Sequence, residues 1–140
     1  MILLDTNIIV YSLDKKSPKN YIATNFIKGN AENLAITHQN INEALRVVTH
    51  PKHPKPMNIE SAIGAITGIA EGLSIIFPKE NTIFITLELL NKYKIKSNNV
   101  FDAYLAATML SNGIEEIATD NEKDFSIIKE IKILNPFTKN

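Results

Sequence analysis

The sequence contains no cysteine, which removes disulfides, thiolate metal sites and cysteine nucleophiles from consideration. That absence is compatible with a reducing, intracellular compartment. No apolar run approaches the ~20 residues that a membrane-spanning helix needs. The opening Met1-Ile2-Leu3-Leu4-Asp5 lacks the basic start and longer apolar stretch of a signal peptide, so a soluble, cytoplasmic protein is expected. Charge of one sign is missing too: 15 Lys and Arg balance 15 Asp and Glu. Coating nucleic acid non-specifically depends on neutralising many phosphates, so the balance argues against that class. It does not argue against a metal-filled acidic pocket ringed by local lysines. Internal repeats, linkers and stretches of disordered composition are also absent. What remains is 140 residues with 44% apolar content, enough for one domain, 1–140, with its own core.

Ile2 to Leu4 read as a buried strand ending at Asp5, after which Asp5-Thr6-Asn7 supplies turn and capping residues before Ile8, Ile9 and Val10. Ser17-Pro18 starts a helix that Gly29-Asn30 stops. Leu34 to Ile36 is a second strand, and Thr37 caps a helix carrying Ile41, Ala44, Leu45 and Val48 at helical spacing. Three prolines make His50 to Pro56 an ordered loop. Asn58 caps a helix running to about Gly72, with Ile59, Ile63, Ile66 and Ala70 as its apolar positions. Ser74 to Phe77 is a third strand, and Asn81 or Thr82 begins a helix through Leu87, Leu90 and Tyr93. Asn99 caps a helix to about Ser111, stopped by Asn112-Gly113. Ile117-Ala118 and Ile131 to Leu134 are further strands, with a turn or helix between them. This alternation predicts an α/β fold with a mostly parallel central sheet.

In such sheets ligands bind beyond the carboxyl ends of the strands, near a switch in strand order. Asp5 directly follows the first strand, and Asp120 directly follows the penultimate one. Glu43 and Asp102 sit near the starts of helices, which face the same edge. Four carboxylates from four separate segments can therefore converge, and a fold tolerates their repulsion only with a compensating cation. Oxygen donors without cysteine or adjacent histidine favour Mg²⁺, or Mn²⁺, over zinc. Such an ion can polarise a phosphodiester and activate water for its hydrolysis, with Glu43 or Asp120 assisting. Each acid alone also has a structural use: Asp5 and Asp120 as turn residues, Asp102 in a capping box with Asn99, Glu43 as a solvent-facing helix residue.

The segments Leu3-Leu4-Asp5-Thr6-Asn7, Asn42-Glu43, Val100-Phe101-Asp102-Ala103-Tyr104-Leu105-Ala106-Ala107 and Ala118-Thr119-Asp120-Asn121-Glu122-Lys123-Asp124-Phe125 occur in that order. Together they resemble the signature of PIN-domain ribonucleases, particularly the toxin of VapBC-type toxin–antitoxin modules. The resemblance spans essentially the whole chain. It implies parallel strands sandwiched between helix layers, with Asp5, Glu43 and Asp102 as metal ligands. It also implies a Mg²⁺-dependent endoribonuclease restrained by a cognate antitoxin. Family members often carry Thr-x-Asp or Thr-x-Asn before the aspartate–phenylalanine pair. Here Asn121 holds that place and the acid is Asp120, one residue earlier, so both are candidates for the fourth position. Thr6, Asn7 and Thr119 are candidates to order water or a phosphate oxygen near the metal, or to serve as turn and capping residues.

Three basic groups stand out: Lys15, Lys16 and Lys19; Lys52, His53 and Lys55; and Lys92, Lys94 and Lys96. The first two adjoin loops that are expected to rim the acidic edge, where they would track an RNA backbone. Tyr11 and Tyr104 are candidates to stack on bases. Two helices carry more apolar residues than one core face needs, which predicts a homodimer interface or a groove for an antitoxin segment. The competing readings are an RNA-binding module without turnover, and a phosphatase or phospho-receiver. The phosphatase pattern needs a second Asp two residues after the first, where this chain has Asn7.

Overall fold

The computed structural model describes residues 1–138; Lys139 and Asn140, the end of the expected domain, lie outside the described residues. Five strands form one sheet in the order β3-β2-β1-β4-β5, and every pairing is parallel. They are β1 (Ile2–Leu4), β2 (Leu34–Thr37), β3 (Ser74–Ile76), β4 (Glu116–Ala118) and β5 (Lys132–Leu134). Seven α-helices connect and cover them: α1 (Thr6–Leu13), α2 (Asn20–Asn30), α3 (His38–Thr49), α4 (Ile59–Ala70), α5 (Thr82–Tyr93), α6 (Asn99–Ser111) and α7 (Glu122–Phe125).

Strand alternation divides the interior into two apolar layers. Ile2, Leu4, Leu34, Ile36 and Ala118 face a core built with Ile8, Ile9, Val48 and Ile66 of α1, α3 and α4. Leu3, Ala35 and Ile117 face the opposite core, with Leu89 of α5, and Leu105 and Met109 of α6. The result is a three-layer α/β sandwich. A sheet covered on both faces needs strands that are apolar throughout, and β1 and β2 are buried at every position.

Local chemistry fixes the helix ends that matter. Thr37 and Asn40 form a capping box at the start of α3, and Asn58 Oδ1 accepts from the Ser61 N–H at 2.8 Å. Past α6, Gly113 adopts φ +73°, a conformation only glycine takes at little cost. There its N–H reaches Leu110 O and that of Ile114 reaches Met109 O, closing the helix as expected.

Two local expectations change, and one segment that the sequence leaves unassigned is settled. The run after Asp5 is a helix despite its β-branched Ile8, Ile9 and Val10. Asp5 caps α1 by accepting from Thr6 N–H, and Ile8 and Ile9 are almost wholly buried, so tertiary burial outweighs propensity. Helix α2 starts at Asn20, not at Ser17-Pro18. Finally, Asn98 rather than Asn99 precedes α6 and makes no side-chain cap bond, so the capping box with Asp102 does not form.

Candidate active site

Strand order reverses direction at β1: the chain moves to β2 and β3 on one side, then crosses to β4 and β5 on the other. That switch opens a crevice at the carboxyl ends of β1 and β4. Asp5 leaves β1 there with its backbone N–H on Ala118 O at 3.0 Å. Its carboxylate is buried and oriented by three hydrogen bonds, only one of them on Oδ1. Oδ1 accepts from Thr6 N–H at 2.7 Å, while Oδ2 accepts from Asn7 Nδ2 at 3.0 Å and from the Thr119 hydroxyl at 2.6 Å. Burial pushes the Asp5 carboxyl up, the Thr119 and Thr6 hydrogen bonds pull it back, and Glu43 and Asp124 push it up again. The net shift is upward.

Glu43 reaches the crevice from α3. Its Oε2 accepts from the Thr6 hydroxyl at 3.0 Å and its Oε1 from Gln39 Nε2 at 3.0 Å. The same Gln39 amide also donates to the Phe101 carbonyl at 3.0 Å, tying α3 to the first turn of α6 beside Asp102. Among the described residues, Gln39 Oε1 is buried without a hydrogen-bond partner. Behind Thr6 stands Asn40, wholly buried, whose Nδ2 donates to the Thr6 hydroxyl at 3.2 Å. One hydrogen-bonded network thus runs from α3 through α1 to the end of β4.

Asp102 differs from both. Among the described residues its carboxylate accepts no hydrogen bond, and its pKa is raised to about 7. Burial is the largest cause, followed by the charges of Asp124, Asp5 and Glu43. The ion pairs among the described residues, Lys19–Asp120 and Lys92–Glu130, involve none of these acids. A carboxylate crowded by like charges and left without a counter-charge is the electrostatic signature of a cation-binding site.

The fourth candidate sits elsewhere. Asp120 bonds Lys19 and the Tyr11 hydroxyl. Burial would raise the Asp120 carboxyl, but the hydrogen bonds from Lys19 and Tyr11 outweigh it and hold it below the usual carboxylate range. Asp120 is not among the charges acting on Asp102, whereas Asp124 is the first of them. Asn121 donates its side-chain amide to Asp124 and its N–H to the Thr119 hydroxyl. Asn7 and Thr119 are accordingly holders of Asp5, and Asn121 is a holder of Asp124. Sequence reasoning passed over Asp124 as a site residue, although the aspartate–phenylalanine pair was the available signal. Phe125 is buried and anchors the short α7, whose first turn returns Asp124 toward the cluster. Gln39 and Asn40 carried no signal beyond helix spacing.

The basic groups also fall differently from expectation. Lys19 is bound to Asp120, and its ammonium lies 5.0 Å and 5.2 Å from the ring centres of Tyr11 and Phe137. Tyr11 packs edge-on against Phe137 at 5.5 Å rather than presenting a free face. Lys15, Lys16, His53 and Lys55 do not rim the acidic edge. They line a cleft at the far ends of α1 and α3, because both helices begin at the crevice and run back from it.

The whole architecture has close parallels among characterised folds. A family model described as PIN domain matches residues 2–131. The chain belongs to the PIN domain family. No curated protein matches. Among solved structures, this PIN domain is similar to VapBC2 from Rickettsia felis bound to a promoter DNA fragment, at 25% identity and TM-score 0.73, covering 96% of this chain and 98% of that one. It is similar to VapBC-1 from nontypeable Haemophilus influenzae at 22% identity and TM-score 0.72, covering 99% and 100%. A third relative in fold is the Mycobacterium tuberculosis toxin VapC20, which cleaves the sarcin–ricin loop, at 13% identity and TM-score 0.70, covering 94% and 98%. No helix among the described residues of this PIN domain is long and apolar enough to cross a membrane.

Proposed function

We propose that this PIN domain, acting as a single unit, is a divalent-metal-dependent endoribonuclease whose active site is the cluster of Asp5, Glu43, Asp102 and Asp124. The observation that carries the reading is Asp102, half-buried, without a hydrogen bond and pressed by three other acids. A donor set made only of carboxylate oxygens fits Mg²⁺ or Mn²⁺. Asp5, Asp102 and Asp124 would hold the ion. Among the described residues no three acidic or histidine side chains stand as a ready-made cage, so the ion would have to draw the carboxylates inward. When bound it would supply Lewis-acid polarisation of the phosphodiester and lower the pKa of water.

The chain's own residues do the positioning. Thr119, Asn7 and the Thr6 N–H lock the Asp5 carboxylate in one orientation. Thr6 and Gln39 aim Glu43, the carboxylate we assign to accept the proton of the attacking water. Asn121 steadies Asp124. The test is cleavage of a mixed single-stranded and structured RNA pool by the folded, partner-free chain in Mg²⁺, Mn²⁺ or EDTA. Cleavage that requires the metal supports the nuclease. Its absence in both metals leaves an RNA-binding module as the better reading.

The fourth acid has its own test. Asp124→Asn is expected to lower cleavage by about a hundredfold or more, whereas Asp120→Asn lowers it less than about tenfold. The reverse order would return Asp120 to the metal site.

Two partners follow from the same reading. The VapBC relatives are toxin–antitoxin pairs, and we assign an antitoxin to this chain as well. Exposed apolar side chains gather around the edge strand β3: Ile75 and Phe77 in and after it, Ile59 and Ile63 on α4, Phe84 and Leu87 on α5. An unpaired strand edge flanked by apolar helix faces fits a second copy of the chain. Phe84→Glu is expected to lower the sedimentation mass from dimer to monomer without unfolding, since Phe84 is 65% exposed.

A further inference from the structure

The 15 basic residues are not spread evenly. Residues 15–31 and 44–59 contain no Asp or Glu, and seven of the 15 Lys and Arg fall within them. The fold brings parts of these two stretches together. The turn after α1 and the loop after α3 meet around a cleft of about 420 Å³. Lys15, Lys16 and Lys55 are exposed at its rim, while Leu13, Val48 and Met57 supply an apolar floor. None of the three lysines is in an ion pair among the described residues. The acid in the cleft, Asp14, accepts from the Lys16 N–H at 3.0 Å.

The loop is held in place. Met57 N–H bonds Val48 O at 2.8 Å, and His53 N–H bonds His50 O at 2.9 Å. His53 Nδ1 accepts from the Lys55 N–H at 3.4 Å, which directs its other ring nitrogen away from that turn. Lys55 and His53 are therefore presented by ordered backbone. A charged rim over an apolar floor, in a volume within the range of small-molecule sites, suits a nucleotide: phosphate on the lysines, base on Leu13, Val48 and Met57.

We propose that this cleft is a remote nucleotide subsite that grips an RNA strand away from the point of cleavage. The proposal rests on the nuclease reading for its substrate, and it deepens that reading by naming where the strand runs. Helix α1 links the two places directly, with Thr6 in the acidic network and Leu13 in the cleft. Their separation is about 10 Å along the helix at ~1.5 Å per residue. That is roughly three nucleotides of a stacked strand at ~3.4 Å each. The geometry also resolves the zero net charge: the acidic cluster repels phosphate until a cation is bound, and the cleft supplies attraction that does not depend on the cation.

The experiment measures binding of labelled single-stranded RNA to Asp102→Asn in EDTA, by anisotropy across a salt series, so that no cleavage intervenes. The comparison is the same protein carrying Lys15→Gln, Lys16→Gln and Lys55→Gln, all exposed positions. For an RNA of about ten nucleotides, removing the three lysines is expected to weaken binding about tenfold at low salt. It should also flatten the log–log salt slope by about two, at ~0.7 per phosphate contact. An RNA of about three nucleotides, which the cleft alone can hold, should bind weakly and lose that binding when the lysines are removed. Equal affinity and slope with and without the lysines would overturn the subsite. Intact RNA binding together with lost binding of a polyglutamate peptide would overturn it in favour of a protein partner. A wild type that fails to cut RNA, yet binds it through these lysines, would refute the nuclease and leave the subsite standing.

Discussion

Replacing Asp102 with asparagine is expected to abolish metal-dependent RNA cleavage while making the ion-free protein more stable at neutral pH. The loss of cleavage should be roughly a thousandfold or more, because the change removes the carboxylate that has no role other than facing the cluster. The gain in stability follows from the same position. Asp102 is raised from 3.8 to about 7 by burial and by Asp124, Asp5 and Glu43. Between about pH 4 and pH 7 the folded chain therefore retains a proton there that the unfolded chain releases. More protons on the native state means that stability falls as pH rises through this window. For a half-exposed group, discounted for screening, the fall is of order 2 kcal/mol. Thermal unfolding in EDTA should show a midpoint that declines from pH 5 to pH 8 in the wild type and much less in Asp102→Asn. Added Mg²⁺ should restore the wild-type midpoint at pH 8. A wild type as stable at pH 8 as at pH 5 without metal would mean that the acids do not crowd one another.

The largest loss of stability from a polar substitution near the site is expected at Asn40. This residue is wholly buried. Its Oδ1 accepts from the Thr37 N–H at 2.9 Å and from the Thr37 hydroxyl at 2.8 Å, its backbone N–H donates to that hydroxyl, and its Nδ2 donates to Thr6. Asn40→Leu keeps the branched shape with more bulk, and it leaves the Thr37 N–H and the hydrogen of the Thr37 hydroxyl without acceptors in a dry interior; only the backbone N–H of residue 40 still reaches that hydroxyl. Losing the side-chain half of the capping box and stranding those donors should cost about 3 kcal/mol, or a fall of roughly 10 °C in the unfolding midpoint. Cleavage should fall as well, since Thr6 loses the donor that fixes the hydroxyl aimed at Glu43. Asn40→Asp is the useful companion. It retains the acceptor for Thr37 but puts a charge beside Thr6, so its activity should be lower than its stability alone would imply. A midpoint for Asn40→Leu within about 2 °C of wild type would remove Asn40 from the supporting network.

Capping chemistry and buried strands were legible in the sequence. Thr37, Asn58 and Gly113 each mark a helix end by a mechanism that needs only local backbone, and each acts as expected. Ile2 to Leu4 and Leu34 to Ile36 read as buried strands, and they form β1 and β2, which are buried at every position. Helix α1 was not legible, because Ile8-Ile9-Val10 has strand propensity and only the surrounding cores decide in favour of a helix. The fourth acid depends on a rotation. At the end of β4, Thr119 turns in to Asp5 while the next side chain, Asp120, turns out to Lys19 and Tyr11. Composition cannot separate two such neighbours, and α7 is what brings Asp124 back. The basic loops were misplaced for a related reason. A lysine after a helix that starts at the crevice ends up one helix length from it, and direction of travel enters no residue count.

The position of β1 has a further consequence in time. Its neighbours in the sheet are β2, reached early in the chain, and β4, reached very late: Leu4 pairs with Ala118, and Thr119 closes onto Asp5. A chain growing on the ribosome can pair β1 with β2 and β3 long before β4 exists, leaving one edge of the central strand waiting. Until Thr119 and Asp124 emerge, Asp5 lacks the hydroxyl that orients it and the cluster lacks its fourth charge. Closing that long loop is also the slowest kind of contact to make. A nascent chain thus lacks the complete acidic cluster until β4 and α7 have both been made.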